Sequence, residues 1–194
     1  MQPKPIHFGA MLNLMPRKPK LRTLSTVVTF LEMTADAQIR AAPPVNLPKL
    51  ALMRAESPPL HFYRYLYDVI GRNYYWIDRK DIPDHELAEL IRDPDVQVHV
   101  AYVAGVPAGF FELDRRRGGL VEILYLGLVP DFTGRGLGKW LLSEAIATAW
   151  SEPTKRLIVE TCTLDAPKAL TLYQRFGFVP YAREDKVIEV REAE

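Results

Sequence analysis

The sequence predicts a single α/β domain with a mixed, mostly antiparallel sheet of about six or seven strands flanked by about four helices, and three observations carry that prediction. The runs VQVHVAYV (96–103), AGFFELD (108–114) and VEILYLGLV (121–129) are rich in strand-forming residues and separated only by GVP and RRRGG, the pattern of an antiparallel meander. The pattern then changes to a helical segment, LGKWLLSEAIATAW (137–150), followed by another strand-like run, RLIVETCT (156–163), and a helix between two strands implies a parallel crossover. Finally, 194 residues with 48% hydrophobic side chains suffice for one core without disulfides or bound metal.

Taken in order, the first 22 residues are proline-rich, basic and free of carboxylates, and read as a flexible segment ahead of one domain spanning 23–194. This segment lacks the apolar stretch of an export signal. TLSTVVTFLEMT (23–34) and KLALMRAE (49–56) read as strands, with the prolines of AAPPVNLPK (41–49) marking a bend between them. HFYRYLYDVIG (61–71) carries Phe62, Leu66, Val69 and Ile70 at helical spacing and stops at Gly71. IPDHELAELIRD (82–93) forms a second helix between Pro83 and Pro94. Beyond the meander and crossover, APKALTLYQRFG (166–177) predicts a helix ending in glycine, and KVIEV (186–190) a last strand. Arg115, Arg116 and Arg117 fall on a hairpin turn and read as a solvated tip.

The composition excludes several classes of function. A net charge of +1 gives no general attraction to nucleic acid or to anionic membranes, and no apolar run is long enough to span a bilayer. With one cysteine, Cys162, and four scattered histidines, neither a disulfide framework nor a zinc pattern can be assembled, so no metal is expected. These features fit a cytoplasmic protein, and Cys162, in an apolar strand, reads as a buried inert thiol. Nothing here opposes a homodimer.

Gly134, Gly136 and Gly138 open the 137–150 helix, where each costs about 1 kcal/mol of helix stability relative to alanine. A helix N-terminus offers free N–H groups and partial positive charge, and glycine lets a ligand approach the backbone. The segment from Thr133 through Gly134, Arg135, Gly136, Leu137, Gly138 and Lys139 therefore reads as a cradle for phosphate or pyrophosphate, with Arg135 and Lys139 supplying charge. It is not a Walker A loop, because Trp140 follows Gly138-Lys139 and Thr133 replaces the first glycine. A dinucleotide loop would need G-x-G-x-x-G, but Lys139 stands at the third glycine position; Glu160 could mimic the acid that binds ribose in such folds.

The run from Glu122 to Gly138, together with LYQRFGF (172–178), resembles the GNAT superfamily of acetyl-CoA-dependent N-acetyltransferases, over roughly residues 49–190. Gly136 and Gly138 match the last two positions of that family's pyrophosphate loop, [Gln/Arg]-x-x-Gly-x-[Gly/Ala], and Leu172, Tyr173, Gly177 and Phe178 match its Leu-Tyr-x-x-x-Gly-Phe signature. Thr133 departs from the usual Gln or Arg, and Ala166 from a common asparagine. The resemblance implies acetyl-CoA as co-substrate. It also implies that the fourth strand of the fold splays from the fifth to admit the pantetheine arm alongside Leu128 and Val129, with Gly127 at a bulge and the Leu128 N–H polarising the thioester carbonyl.

The implied reaction moves acetyl from acetyl-CoA to an amine of a small molecule or peptide. Tyr173 resembles the family's general acid, which protonates the departing thiolate. Glu122 is the candidate base, against the alternative of a strand-end glutamate paired with a cation, and Glu112 is the reserve. Tyr74, Tyr75 and Trp76, in RNYYWID (72–78), could stack on an acceptor or pack their own loop. The Thr133 and Ala166 departures keep a second reading open, a non-catalytic acyl-CoA-binding or interaction module of the same fold.

Overall fold

Alternating apolar residues build a seven-stranded sheet. The computed structural model describes residues 21–191. Its strands are β1 (Leu21–Met33), β2 (Leu50–Arg54), β3 (Val96–Val103), β4 (Val106–Arg117), β5 (Leu120–Leu128), β6 (Arg156–Cys162) and β7 (Val179–Arg191), in the order β2-β3-β4-β5-β6-β1-β7. Every neighbouring pair is antiparallel except β5 and β6, which are parallel. The helices are α1 (Leu60–Gly71), α2 (Asp84–Ile91), α3 (Leu137–Trp150) and α4 (Ala169–Arg175). Strand and helix counts agree with the sequence expectation, and the meander and crossover lie where it put them. The expectation for the first twenty residues lies outside the described part, although Leu21 and Arg22 already belong to β1.

Two apolar clusters sandwich the sheet. On one face Leu137, Leu141, Leu142 and Ile146 of α3 and Tyr173 of α4 share one cluster with Leu31, Ile123, Leu157 and Val159 of the sheet. Each such side chain, fully buried, contributes about 1.5–3 kcal/mol. On the other face Tyr63, Leu66, Tyr67 and Ile70 of α1, at three- and four-residue spacing, cover Val98, Val100, Phe110 and Tyr125. This second cover stops near β5, so among the described residues no helix packs on the α1/α2 side of β6, β1 and β7. Among the described residues no helix is long and apolar enough to cross a membrane.

Three sequence readings change. Of the arginine tip, Arg116 and Arg117 are exposed as expected, but the Arg115 side chain is 8% exposed and donates to the Thr148 and Ala149 carbonyls at 2.8 and 2.9 Å, capping the end of α3. Arg116 pairs with Asp114 at 2.6 Å, and Arg117 pairs with Glu122. β7 begins at Val179, seven residues before the KVIEV run, because pairing with β1 extends through a polar stretch that has no hydrophobic period. Cys162 is only half-buried, since strand alternation turns it to the uncovered face.

Candidate active site

The β5–β6 pairing is short. It runs from Leu120↔Arg156 to Ile123↔Val159 and then ends, so the two parallel strands diverge toward their C-terminal ends. A bulge at the same level drives the divergence: Leu113 pairs with Ile123 and Glu112 with Tyr125, which leaves Leu124 as the extra residue. The bulge was expected at Gly127. That glycine serves another purpose, since a Cβ there would lie 2.4 Å from Ile70 Cγ2 and 3.4 Å from Trp76 Cη2, and α1 could not close on the sheet.

Ladder geometry says which amides face the gap. The Val129 N–H donates to the Ala108 carbonyl at 2.9 Å, so Gly127 and Tyr125 also turn their amides toward β4. The Leu126 and Leu128 amides point the opposite way, into the gap left by β6. The sequence singled out Leu128; Leu126 is a second donor on the same side.

At the wide end of the gap lies the glycine segment. After a turn at Pro130–Phe132, closed by the Thr133 hydroxyl on the Pro130 carbonyl at 2.8 Å, Gly134 and Gly136 adopt φ of +74° and +82°. Gly136 is the residue preceding α3, and no side chain caps the helix, so the Leu137, Gly138 and Lys139 amides keep their donors free of side-chain partners. A Cβ on Gly134 would meet nothing within 4 Å, and one on Gly136 only Pro44 Cγ at 3.9 Å. Glycine is thus required by the backbone, and open space stands over the loop. Arg135 lies above the Phe132 ring at 5.9 Å, and Lys139 is exposed one turn on. These groups fit a pyrophosphate at the end of a slot whose walls are strand backbone.

A cavity of about 230 Å³ occupies the slot, lined by Leu126, Gly127, Leu128 and Thr133 from one side and Glu160, Asp165 and Tyr173 from the other. Tyr173 is 8% exposed and rests edge-on against Phe178, with ring centroids 5.9 Å apart. Burial pushes its pKa up, and the nearby Asp165 carboxylate adds to the effect, so the hydroxyl holds its proton at neutral pH. Asp165 is fastened by Thr161 Oγ1 and the Cys162 N–H, both 2.8 Å from Oδ2. The sequence reading missed Asp165 because attention fell on its neighbour Ala166; an aspartate in a strand-to-helix turn, binding amides of its own loop, was the available signal.

A second cavity, of about 210 Å³, adjoins the first and shares Tyr74, Trp76, Leu124, Tyr125, Glu160 and Asp165 with it. The Gly71–Trp76 turn, held by Tyr74 and Trp76 amides on the Gly71 carbonyl, forms its wall. Trp76 both packs and lines: its ring lies 5.0 Å from Tyr125 and 5.5 Å from Tyr67. Glu160 sits where β5 and β6 part. Partial burial raises its pKa; Lys186 opposes that shift, while Glu122, Asp78 and Asp165 reinforce it.

The two glutamates considered from sequence lie elsewhere. Glu122, with a side chain 16% exposed, is ion-paired to Arg117 and lines neither cavity. Glu112 is 0% exposed, accepts from Tyr63 Oη and Arg79 Nη2 at 2.7 Å each, and has no opening to the slot.

Comparison with known proteins agrees with this geometry. No curated relative matches the chain by sequence. Among solved structures, a GCN5-related N-acetyltransferase from Kribbella flavida superposes with a TM-score of 0.58 at 14% identity, covering 90% of this chain and 60% of that one. An IAA acetyltransferase from Bacillus cereus ATCC 14579 gives 0.52 at 22% identity, over 69% of this chain and 79% of that one. An aminoglycoside acetyltransferase from an uncultured soil metagenomic sample, in complex with sisomicin, gives 0.53 at 18% identity, over 66% and 87%. The chain thus spans about three fifths of the Kribbella protein's length. The model of the acetyltransferase (GNAT) family matches residues 62–178, more than half of the chain and the whole of the slot, loop and tyrosine just described; the chain belongs to the acetyltransferase (GNAT) family.

Proposed function

We propose that the protein transfers the acetyl group of acetyl-CoA to the nitrogen of an amine. The observation that carries this reading is the gap opened between β5 and β6 beyond Ile123 and Val159, with the uncapped glycine-rich start of α3 at one end and Tyr173 in its wall. Acetyl-CoA supplies an acyl group activated as a thioester. The α3 amides, Arg135 and Lys139 would hold its pyrophosphate, Leu128 and Thr133 would border the arm, and the Leu126 and Leu128 amides would bind the thioester oxygen, where negative charge develops. Val129, expected beside the arm from sequence, is instead buried in the cluster under α1 with its amide on Ala108, and lines neither cavity. The aminoglycoside and IAA acetyltransferases of the same fold support a small-molecule acceptor.

An amine of pKa ~10.4 is almost wholly protonated at pH 7, and freeing the nucleophile costs about 4–5 kcal/mol. Of the glutamates, Glu160 is the better base: it lines both cavities, desolvation raises its pKa above the ordinary carboxylate value, and it has no ion pair among the described residues. Glu122, which the sequence favoured, is the competing assignment. Tyr173, neutral and buried beside the slot, gives its proton to the departing thiolate.

The test is thiol release on mixing the protein with acetyl-CoA and a panel of amines, with acetyl-CoA affinity measured alongside. Gly136→Asp puts a Cβ at a φ of +82° and an anion in the cradle, and is expected to raise the acetyl-CoA Kd at least about tenfold. Unchanged affinity in a folded variant would refute the pyrophosphate assignment. Acetyl-CoA binding without thiol release for any amine would leave a non-catalytic acyl-CoA-binding module.

A further inference from the structure

The second cavity has a composition that the reaction itself does not require. Three carboxylates line it, on Asp78, Glu160 and Asp165, against one cation, Lys186. Lys186 Nζ lies 5.3 Å from the centre of the ring of Phe30, the cross-strand partner of Glu160, so this cation offsets Glu160, while neither Asp78 nor Asp165 has an ion pair among the described residues. Four aromatic residues, Tyr74, Tyr75, Trp76 and Tyr125, form one part of the wall, and aliphatic and small polar side chains complete it. Tyr75 already meets one cation, with Arg22 Cζ 5.9 Å from the ring centre and Arg22 Nη2 donating to its hydroxyl at 3.1 Å. Asp78 is exposed, and none of its carboxylate oxygens takes a hydrogen bond or ion pair among the described residues. Aromatic faces and unpaired carboxylates together attract cations. A neutral or anionic acceptor would bury part of these carboxylates without a counter-charge.

One positive charge cannot satisfy this arrangement throughout the reaction. The attacking nitrogen must be neutral: its lone pair bonds to the acetyl carbon, the carbon–sulfur bond breaks, the amine proton passes to Glu160, and the sulfur takes the Tyr173 proton. The charge that binds must therefore sit on another nitrogen, one that stays protonated.

Resting on the acetyltransferase reading above, we propose that the acceptor is a diamine or polyamine: one primary amine is acetylated at Glu160, while a second nitrogen, still protonated at neutral pH, is held by Asp78, Asp165 and the Tyr74–Trp76 wall. Asp165 has an oxygen to spare for this role, since both of its bonds to Thr161 and Cys162 go to Oδ2.

The test compares linear α,ω-diamines of three to seven carbons with monoamines of equal length, reading kcat/KM from thiol release. The preferred diamine is expected to exceed its monoamine by about tenfold or more, since one partly desolvated cation on an aromatic and carboxylate wall is worth about that. In Asp78→Asn the diamine-to-monoamine ratio should fall toward one, and added salt should lower it in the wild type. Equal kcat/KM for diamines and monoamines, with thiol release intact, would overturn the second-cation proposal and leave the acetyltransferase reading standing. Absence of thiol release with every amine would overturn both.

Discussion

Glu112 on β4 and Glu160 on β6 face the same side of one sheet and differ in almost every other respect. Glu112 lies under α1, fully buried, with the Tyr63 hydroxyl and the Arg79 guanidinium each 2.7 Å from its carboxylate. Arg79 is itself 5% exposed and lies 5.6 and 5.3 Å from the Tyr63 and Tyr125 ring centres. Burial raises the Glu112 pKa, and the two partners pull it back. Glu160 lies two strands further on, past the edge of the α1/α2 cover, on a strand that has just lost its parallel neighbour. The same side chain is a structural anchor where α1 covers the sheet and a cavity-lining carboxylate, the base proposed above, where no described helix covers it. The anchor also serves the site: Arg79 ties the 72–81 loop, which carries Tyr74 and Trp76, to the sheet, and its own N–H donates to Tyr67 Oη at 3.2 Å.

The largest expected effect comes from breaking the anchor. Glu112→Ala leaves the Arg79 charge buried without its partner, and the unfolding free energy in urea should fall by about 3–5 kcal/mol. Glu112→Leu combined with Arg79→Met removes both charges and should recover much of that loss. A single variant as stable as wild type would mean that water reaches Arg79, and the contrast between the two glutamates would collapse.

Breaking the other partner should do the reverse. Glu160→Gln is expected to lower kcat/KM at pH 7 by roughly 10²-fold while shifting the urea midpoint little. Tyr173→Phe should lower kcat by a similar ~10²-fold with acetyl-CoA affinity nearly unchanged, because the ring keeps its place on Phe178. A fully active Tyr173→Phe protein would assign the hydroxyl to packing alone.

Sequence reasoning reached the parts of this site that depend on local chemistry. Gly134 and Gly136 need positive φ, and the helix that follows starts at Leu137, where its pattern begins. The choice among carboxylates was not legible. Glu112, Glu122 and Glu160 all alternate outward on strands, and which of them is covered depends on where α1 lies across the sheet. Arg79 gave no local signal either, as its partner is 33 residues away. The bulge at Leu124 escaped for the same reason, since register is a property of the β4–β5 pair.

The smallest effect concerns Glu122, and it sharpens the comparison most. Its carboxylate is ion-paired to Arg117, one β5–β6 register step from the fork, and its negative charge helps to raise the Glu160 pKa. If Glu160 is the base, the acid limb of kcat/KM against pH reports that raised pKa: activity falls as pH drops through it, because the protonated carboxyl cannot accept the amine proton. Glu122→Gln removes a negative charge, makes the Glu160 carboxylate easier to maintain, and moves the acid limb to lower pH by roughly a few tenths of a unit, as expected for a partly screened pair. Activity at pH 7 should then stay within a factor of about two of wild type. If Glu122 is the base instead, the same variant loses ~10²-fold at pH 7 and recovers as pH approaches the acceptor's own pKa, where free amine needs no base. The two mechanisms therefore predict opposite signs at low pH and different magnitudes at neutrality, so the pH dependence of kcat/KM in wild type and Glu122→Gln decides between them.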